Sequence, residues 1–489
     1  MIAFLRRHWL ALLVVAVVLG VAAAAFTYER FFREHEAPRF ASDEDHFLFG
    51  SIGTEGNEGV PYWLWLVLPR VFPDLLPGPG GYASLGLLAR ADAPMPIGLS
   101  KVTVGFPRVG INCAFCHTAS YRLRPDDPPV IVPGGPSHQT APQRYFRFLF
   151  DVGADPRFNP GTLLGEVAKN YRLSLLDRLL FRFAIVPATR RALGRAREEQ
   201  DSWMRKRPDW GPGRIDPFNP VKFRMLGLAV DATIGNSDMV PVWNMRRREG
   251  WAYHWDGLST SIREVVVSSA LGDGASRAWV DRDVARWDKP VEGSPSSLQR
   301  IAAYMTSSTA PRFPLPVDAT LASAGGALYQ THCAACHAPD SEKVGTVIPA
   351  TEVGTDRHRL EMWTPAAATA YNAYGAGRAW KFAAFRSTNG YVPPLHDGLW
   401  LRGPYLHNGS VPSLADLLTP PAERPSRFWR GYNLIDAVKV GFVSTGAEAE
   451  RAGTLFDTSQ PGNGNAGHAY GTDLSPDEKR ALLEYLKTL

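Results

Sequence analysis

Two copies of Cys-X-X-Cys-His, Cys113-Ala-Phe-Cys116-His117 and Cys333-Ala-Ala-Cys336-His337, constrain this chain more than anything else in it, and they use all 4 of its cysteines. The pattern is the attachment signature of c-type haem. The two thiols add across the haem vinyl groups, and the following histidine binds the iron from one face. The rival readings are a thioredoxin-like redox pair or a zinc site. A zinc site would have to close from two pairs in opposite halves of the chain, and a histidine after each pair would be coincidence. The chain therefore reads as a di-haem cytochrome c. No cysteine is left for a disulfide, so the haem bonds themselves staple the fold.

The N-terminus agrees. Arg6 and Arg7 precede an uncharged run from Trp9 to Tyr28, and Glu29-Arg30-Phe31-Phe32-Arg33-Glu34 follows it. At about 1.5 Å per residue the run can span a bilayer. Positive charge before the span implies a cytoplasmic N-terminus and an exported body. A cleaved signal peptide is the rival, because Ala22 to Ala25 offers small residues to a peptidase. The run is long for a signal core, so the expectation is an uncleaved anchor holding the body on the periplasmic side of the bacterial inner membrane. Cleavage would leave a soluble periplasmic or secreted protein. Either way both haems lie outside the cytoplasm.

A chain of 489 residues should hold two or more domains. Gly 45 and Pro 40 make it loop-rich without making it disordered. The formal charge of +5 is small, and haem propionates would offset much of it. Nothing argues for nucleic acid, and the charge does not select a partner.

The expected fold is mainly α: two cytochrome c-like haem domains with extensive loops, preceded by one N-terminal transmembrane helix. Residues 1–30 form the anchor or signal segment, 31–315 the N-terminal haem c domain, and 316–489 the C-terminal cytochrome c domain. The first stretch of the body, to about residue 110, is Gly/Pro-rich and lacks strong periodicity. From Thr162 to Lys206 the pattern is helical, with Leu164, Val167, Leu173, Leu176, Leu179 and Leu180 at helical spacing. The basic stretch Arg190 to Arg195 that follows is ordinarily a solvated helix face; docking to an acidic partner or lipid headgroups is the sharper alternative. Pro311 to Pro316 joins the halves. Ala322 to His332 predicts a helix leading into the second motif. Ser475-Pro476-Asp477-Glu478 predicts a capped final helix with an apolar stripe of Leu482, Tyr485, Leu486 and Leu489. Gly325 and Gly326 would let these two helices cross closely.

Function turns on the sixth ligand of each iron, because a haem closed on both faces shuttles electrons and an open one binds peroxide or dioxygen. After His337 the only methionine is Met362, and the histidines are His358, His396, His407 and His468. His468 sits in a Gly/Asn-rich loop flexible enough to present an imidazole.

The stretch Tyr391-Val-Pro-Pro-Leu-His-Asp-Gly-Leu-Trp-Leu-Arg-Gly-Pro-Tyr-Leu-His-Asn-Gly-Ser410-Val-Pro-Ser-Leu414 resembles a segment shared by bacterial di-haem peroxidases, the methylamine-utilisation di-haem enzyme and the rubber-oxygenase group. The tail, from Arg424-Pro425 to Gly467-His468-Ala-Tyr-Gly471, most resembles the rubber-oxygenase type. The resemblance implies that His337 and His468 bind the C-terminal haem, with Tyr391 as the main competitor. Tyr405 and His407 lie in the same stretch, and their plainer role, hydrogen bonding that shapes the loop over the haem, is expected over ligation. The resemblance also implies that the N-terminal haem, with His117 proximal, is the reactive one. His138 is the obvious candidate to close that haem, as a histidine does in di-haem peroxidases. It lies further along the chain than such a ligand should, and is expected instead in a loop or against a propionate.

An open distal face needs a pocket, and its best source is Met239 to Met245 followed by Trp251 to Gly257. Trp243 and Trp255 would line the pocket or bridge electronically to the second haem, and His254 or Asp256 would assist proton transfer. With 14 tryptophans in the chain, packing is the plainer role. Two classes of function follow. One is a peroxidase- or oxygenase-like oxidoreductase whose second haem relays electrons; the other is a membrane-tethered carrier with both irons six-coordinate. A small redox protein or a quinol-linked donor or acceptor is the expected partner. Calcium between the domains, which some di-haem peroxidases hold, has no signature in the sequence.

Overall fold

The computed structural model describes residues 2–489, with side chains from His8 onward. The side chains of Arg6 and Arg7, the charges ahead of the apolar run, lie outside the described residues. One helix, Ile2–Phe31, takes up the run, and within it His8–Phe31 is a 24-residue stretch with no part buried. That stretch is roughly 36 Å long at 1.5 Å per residue, enough to cross a bilayer.

The foot of this helix is tied to the body. A hairpin, Leu99–Val104 with Phe106–Ile111, turns at Gly105. Gly105 has φ +69, and a Cβ there would meet the Phe31 backbone at 2.4 Å, so glycine alone permits this approach. His35 N donates to Thr103 O at 2.8 Å, and Arg108 Nη2 to Phe31 O at 3.0 Å. The second hairpin strand then runs directly into Asn112 and the first Cys-X-X-Cys-His motif. This hairpin, and the helices Asp43–Phe49 and Tyr62–Val71, fill the stretch that lacks periodicity in the sequence.

The helical expectation from Thr162 to Lys206 resolves into Pro160–Asn170 and a second run, Leu175–Leu180 and Val186–Ala196, joined by a wide turn at Phe181–Ile185. Pro187 has no N–H to give the preceding turn, and a wide turn absorbs the missing bond. Val167 is buried, but Leu176 and Leu179 are exposed. The apolar stripe therefore does not face the core along its whole length.

At the far end Ala319–His332 crosses Pro476–Leu486. Ser475 Oγ accepts from Glu478 N while Glu478 returns a bond to Ser475 N, which is the expected capping box. Leu482, Leu483 and Leu486 are buried against the partner helix and Trp400.

The chain is helix-rich but mixed, which corrects the expectation of a mainly α fold. Its long Gly/Pro-dense loops satisfy backbone groups by pairing in short antiparallel bridges, such as Thr118–Tyr121 with Val130–Pro133. The two cores also trade segments across the joint at Pro311 to Pro316. The core around Phe47, Trp65 and Ile301 takes in Met362, Trp363, Tyr371 and Phe385 from the second half. The core around Tyr329, Trp400 and Leu482 takes in Tyr121, Val132 and Trp243 from the first.

Candidate haem sites

Each motif is set by a local cap. Asn112 Oδ1 accepts from Ala114 N at 3.0 Å, and its Nδ2 donates to Gly50 O at 2.9 Å, fixing the turn that carries Cys113 and Cys116. Cys333 ends the helix Ala319–His332 and opens the short helix Ala334–His337.

The two histidines are oriented alike. His117 Nδ1 lies 2.8 Å from Val240 O, and His337 Nδ1 lies 2.8 Å from Pro394 O. A carbonyl acceptor fixes the tautomer with the proton on Nδ1 and leaves Nε2 as the metal-binding nitrogen. All four thiols and both histidines line one cavity of about 1660 Å³ with mostly apolar walls. Burial raises the Cys113 thiol to about 12 and lowers His337 to about 4, so neither group carries charge at neutral pH. Neutral imidazoles, paired thiols and an apolar cavity fit covalent haem.

His468 faces His337 with ring centres 6.3 Å apart. His337 and His468 would be the two residues to hold an iron here. Burial lowers His468 to about 3, again the neutral form. Its loop is held hard. His468 has φ +47, uncommon for a residue with a Cβ. Arg424 clamps the loop by donating to the carbonyls of Asn465 at 2.7 Å, Gly467 at 2.8 Å and His468 at 3.0 Å. Asn408 Nδ2 and Ser410 Oγ both donate to Gly464 O.

Tyr391 also lines the cavity, but its hydroxyl is engaged. It lies 2.5 Å from Asp356 O and 3.0 Å from His407 Nε2, with the two rings stacked at 4.2 Å. Tyr405 donates to Leu399 O and Val440 O. His396, another of the histidines that follow the second motif, stacks on His337 at 3.9 Å.

His138 is stacked flat on Phe442 at 3.9 Å, with Nε2 3.0 Å from Tyr432 O, and is not among the cavity-lining residues. That placement makes it a packing residue between the halves. His254 and Trp255 do line the cavity; Trp243 and Asp256 do not. His254 packs edge-on to Phe218, has φ +65, and buries its Nε2 without a partner. Burial lowers it to about 4, with Arg359 and His117 adding to the fall. Trp255 instead joins Ala350, Leu360 and Tyr391, and its Nε1 donates to Asp238 O. Asp256 is fully buried in a double contact with Arg359, at 3.2 and 3.3 Å. Trp243 is buried, with Nε1 3.3 Å from Asp397 O.

Several residues that build the sites had no role read for them in the sequence. Arg424, Asn408 and Ser410 lie in the stretches that carry the resemblance, but they act through a loop distant in sequence. Asp397 gathers Arg248, Arg402 and Asn244 between the two proximal segments. Asp273 lines the cavity near Cys113 and Cys116, and burial raises its carboxyl to about 7. Its position at a helix C-cap followed by glycine was the only available clue.

Residues 390–430 match a family described as RoxA-like, cytochrome c-like. The match marks a cytochrome c-like domain at those residues, and such a domain implies haem c. An uncharacterised protein, y4iJ of Sinorhizobium fredii, is 26% identical over 482 residues, covering 78% of this chain and 77% of its own length. A second from the same organism, y4iM, is 29% identical over 304 residues, with 52% of this chain and 64% of its own length covered.

Proposed function

We propose that the protein is an exported di-haem c-type cytochrome and an oxidoreductase. The N-terminal haem binds peroxide or dioxygen, and the C-terminal haem relays electrons. The observation that carries this reading is an asymmetry. The His468 ring centre stands 6.3 Å from that of His337, whereas His254, the histidine whose proton His117 helps to repel, packs edge-on to Phe218. Haem c, when bound, supplies one-electron chemistry whose outcome depends on whether the iron's second face is open.

The side chains do the rest. Val240 O and Pro394 O hold the proton on each proximal Nδ1. His468, clamped by Arg424, closes the second site. The apolar walls around His117 exclude water and lower the local dielectric. Asp273 holds a proton near neutral pH inside the cavity, where an oxygen-based substrate would need one. His254 and Trp255 are consecutive residues of one loop, the first beside Phe218 and the second beside Tyr391. Electrons arrive from a small redox protein or a quinol-linked donor on the periplasmic side, with the N-terminal helix as anchor.

The second reading, an electron carrier, is favoured by one observation: the unpartnered Nε2 of His254 is a group able to close the first iron. Low-temperature EPR of the fully oxidised protein separates the two. One high-spin and one low-spin haem, with the low-spin signal lost in His468→Ala, is the expected result. Two low-spin haems, one of them converted to high-spin by His254→Ala, would establish the carrier instead.

A further inference from the structure

The first half of the chain holds a row of oxidisable rings that starts at the cavity and ends at the surface. Tyr145 lines the cavity, and its ring lies 5.4 Å from Phe115, inside the first Cys-X-X-Cys-His motif. Trp65 Nε1 donates to Tyr145 Oη at 3.1 Å. The Trp65 ring also stacks on Tyr82 at 4.3 Å with the planes 8° apart, and Tyr82 Oη donates to Trp65 O at 2.7 Å. All three rings are buried.

The helix Tyr62–Val71 carries the row outward. Tyr62 lies one turn before Trp65, the spacing that puts two side chains on one helix face. Its ring meets Trp63 at 5.1 Å, and Trp63 meets Tyr171 at 5.1 Å. Tyr62, Trp63 and Tyr171 are each half-buried, so the row ends in contact with solvent.

Packing alone does not call for this composition. Phenylalanine or leucine would fill the same core with no hydroxyl or indole N–H to desolvate, and a buried polar group costs free energy unless it is paired. Here the pairing is spent between the rings themselves, Trp65 on Tyr145 and Tyr82 on the Trp65 carbonyl. Tryptophan and tyrosine give up an electron far more readily than phenylalanine does. A tryptophan ring can do so while keeping its N–H, so Trp65 needs no base beside it.

We infer that Tyr145, Trp65, Tyr62, Trp63 and Tyr171 form a discharge route for the first haem site, used when that site is oxidised and no substrate consumes the oxidising equivalent. This rests on the reading of the first motif as the reactive site. The peroxide-oxidised site gains one electron, and Trp63 or Tyr171 at the surface loses one. A tyrosine oxidised there releases its phenolic proton to water. A one-electron reductant of the enediol class then restores the ring, supplying the electron, with the proton taken back from water. All five rings come from the first 171 residues, so the route does not run through the second motif.

The test treats the full-length, haem-loaded protein with hydrogen peroxide in the presence of a nitroso spin trap and maps the adducts by mass spectrometry. Adducts are expected on the peptides that carry Trp63 and Tyr171. Trp65→Phe keeps a ring in the core but removes the easily oxidised one. It should cut the outer adducts severalfold, raise those on Tyr145, and speed peroxide bleaching of the haem absorption severalfold. Trp63→Phe with Tyr171→Phe changes only half-buried positions, and should remove most of the protection that ascorbate gives the wild-type haem against bleaching. An unchanged absorption spectrum before peroxide verifies folding of each variant. Outer adducts indifferent to Trp65→Phe would overturn the route, as would ascorbate protection indifferent to the outer pair. A haem spectrum that peroxide does not move would remove the reactive-site reading, and the inference with it.

Discussion

Asp273 and His138 are both buried polar side chains, yet burial moves their protons in opposite directions. Asp273 titrates near 7 in the folded chain, against an ordinary value of about 3.9 when unfolded. The folded state holds a proton that the unfolded state has released, so the contribution of Asp273 is full below about 4 and is lost as pH rises through 7. His138 sits near 3, lowered by burial and then by Arg430, against about 6.5 unfolded. Its contribution is full above about 6.5 and is lost as pH falls toward 3. Urea unfolding at a series of pH values should therefore show Asp273→Asn gaining on the wild type as pH rises from 4 to 7. His138→Gln should gain on the wild type as pH falls from 6.5. Equal and flat differences would refute both. The haem spectrum of His138→Gln should match the wild type, because its ring contacts Phe442 and Tyr432 O rather than the cavity. At this scale the placing of both motifs against one cavity was legible, since each motif is written in adjacent residues. The clamp on the His468 loop was not, because Arg424 reaches it by a contact no local pattern records.

The crossing of Ala319–His332 with Pro476–Leu486 carries a sharp contrast between neighbouring glycines. A Cβ on Gly325 would meet Ala481 O at 2.0 Å, whereas one on Gly326 would meet the Tyr485 ring at 3.4 Å. Backbone cannot step aside as a ring can, so Gly325→Ala forces the helices apart. It should cost about 1–3 kcal/mol in chemical denaturation, the range for an overpacked core. Gly326→Ala should be neutral or gain up to about 1 kcal/mol from helix propensity. Because the first helix ends at Cys333, Gly325→Ala should also lower covalent haem incorporation at that motif, read by peptide mass. Comparable behaviour of the two variants would sink the close-crossing account. Both helices were legible from caps and periodicity, as was the N-terminal one. The hairpin at Gly105 was not: its strands are short, carry Pro107, and are stabilised by the anchor foot rather than by alternation.

At the scale of the whole molecule, the Asp397 contacts hold the two Cys-X-X-Cys-His motifs in one frame. Val240 and Pro394 each accept the proximal histidine of one site. Three residues beyond each lie Trp243 and Asp397, and Trp243 Nε1 donates to Asp397 O at 3.3 Å. The Asp397 carboxylate takes Asn244 at 2.6 Å and Arg248 at 2.9 Å from the first half and Arg402 from the second. Burial works to raise this carboxyl, but Arg402 and Arg248 outweigh it and hold it below its ordinary value. None of this was legible, because the residues are ordinary in their own sequence neighbourhoods and the pairing joins segments from opposite halves. Asp397→Ala leaves two arginines buried without a counter-charge, a loss of about 3–5 kcal/mol. It also cuts the bond network between the proximal segments. Unfolding followed by haem absorbance should therefore fall in midpoint and lose its single step, as each core melts on its own. Asp397→Asn keeps an oxygen for Arg248 and should fall between. A loss below about 1 kcal/mol, within the range of a surface ion pair, would show that the traded core segments alone hold the two sites together.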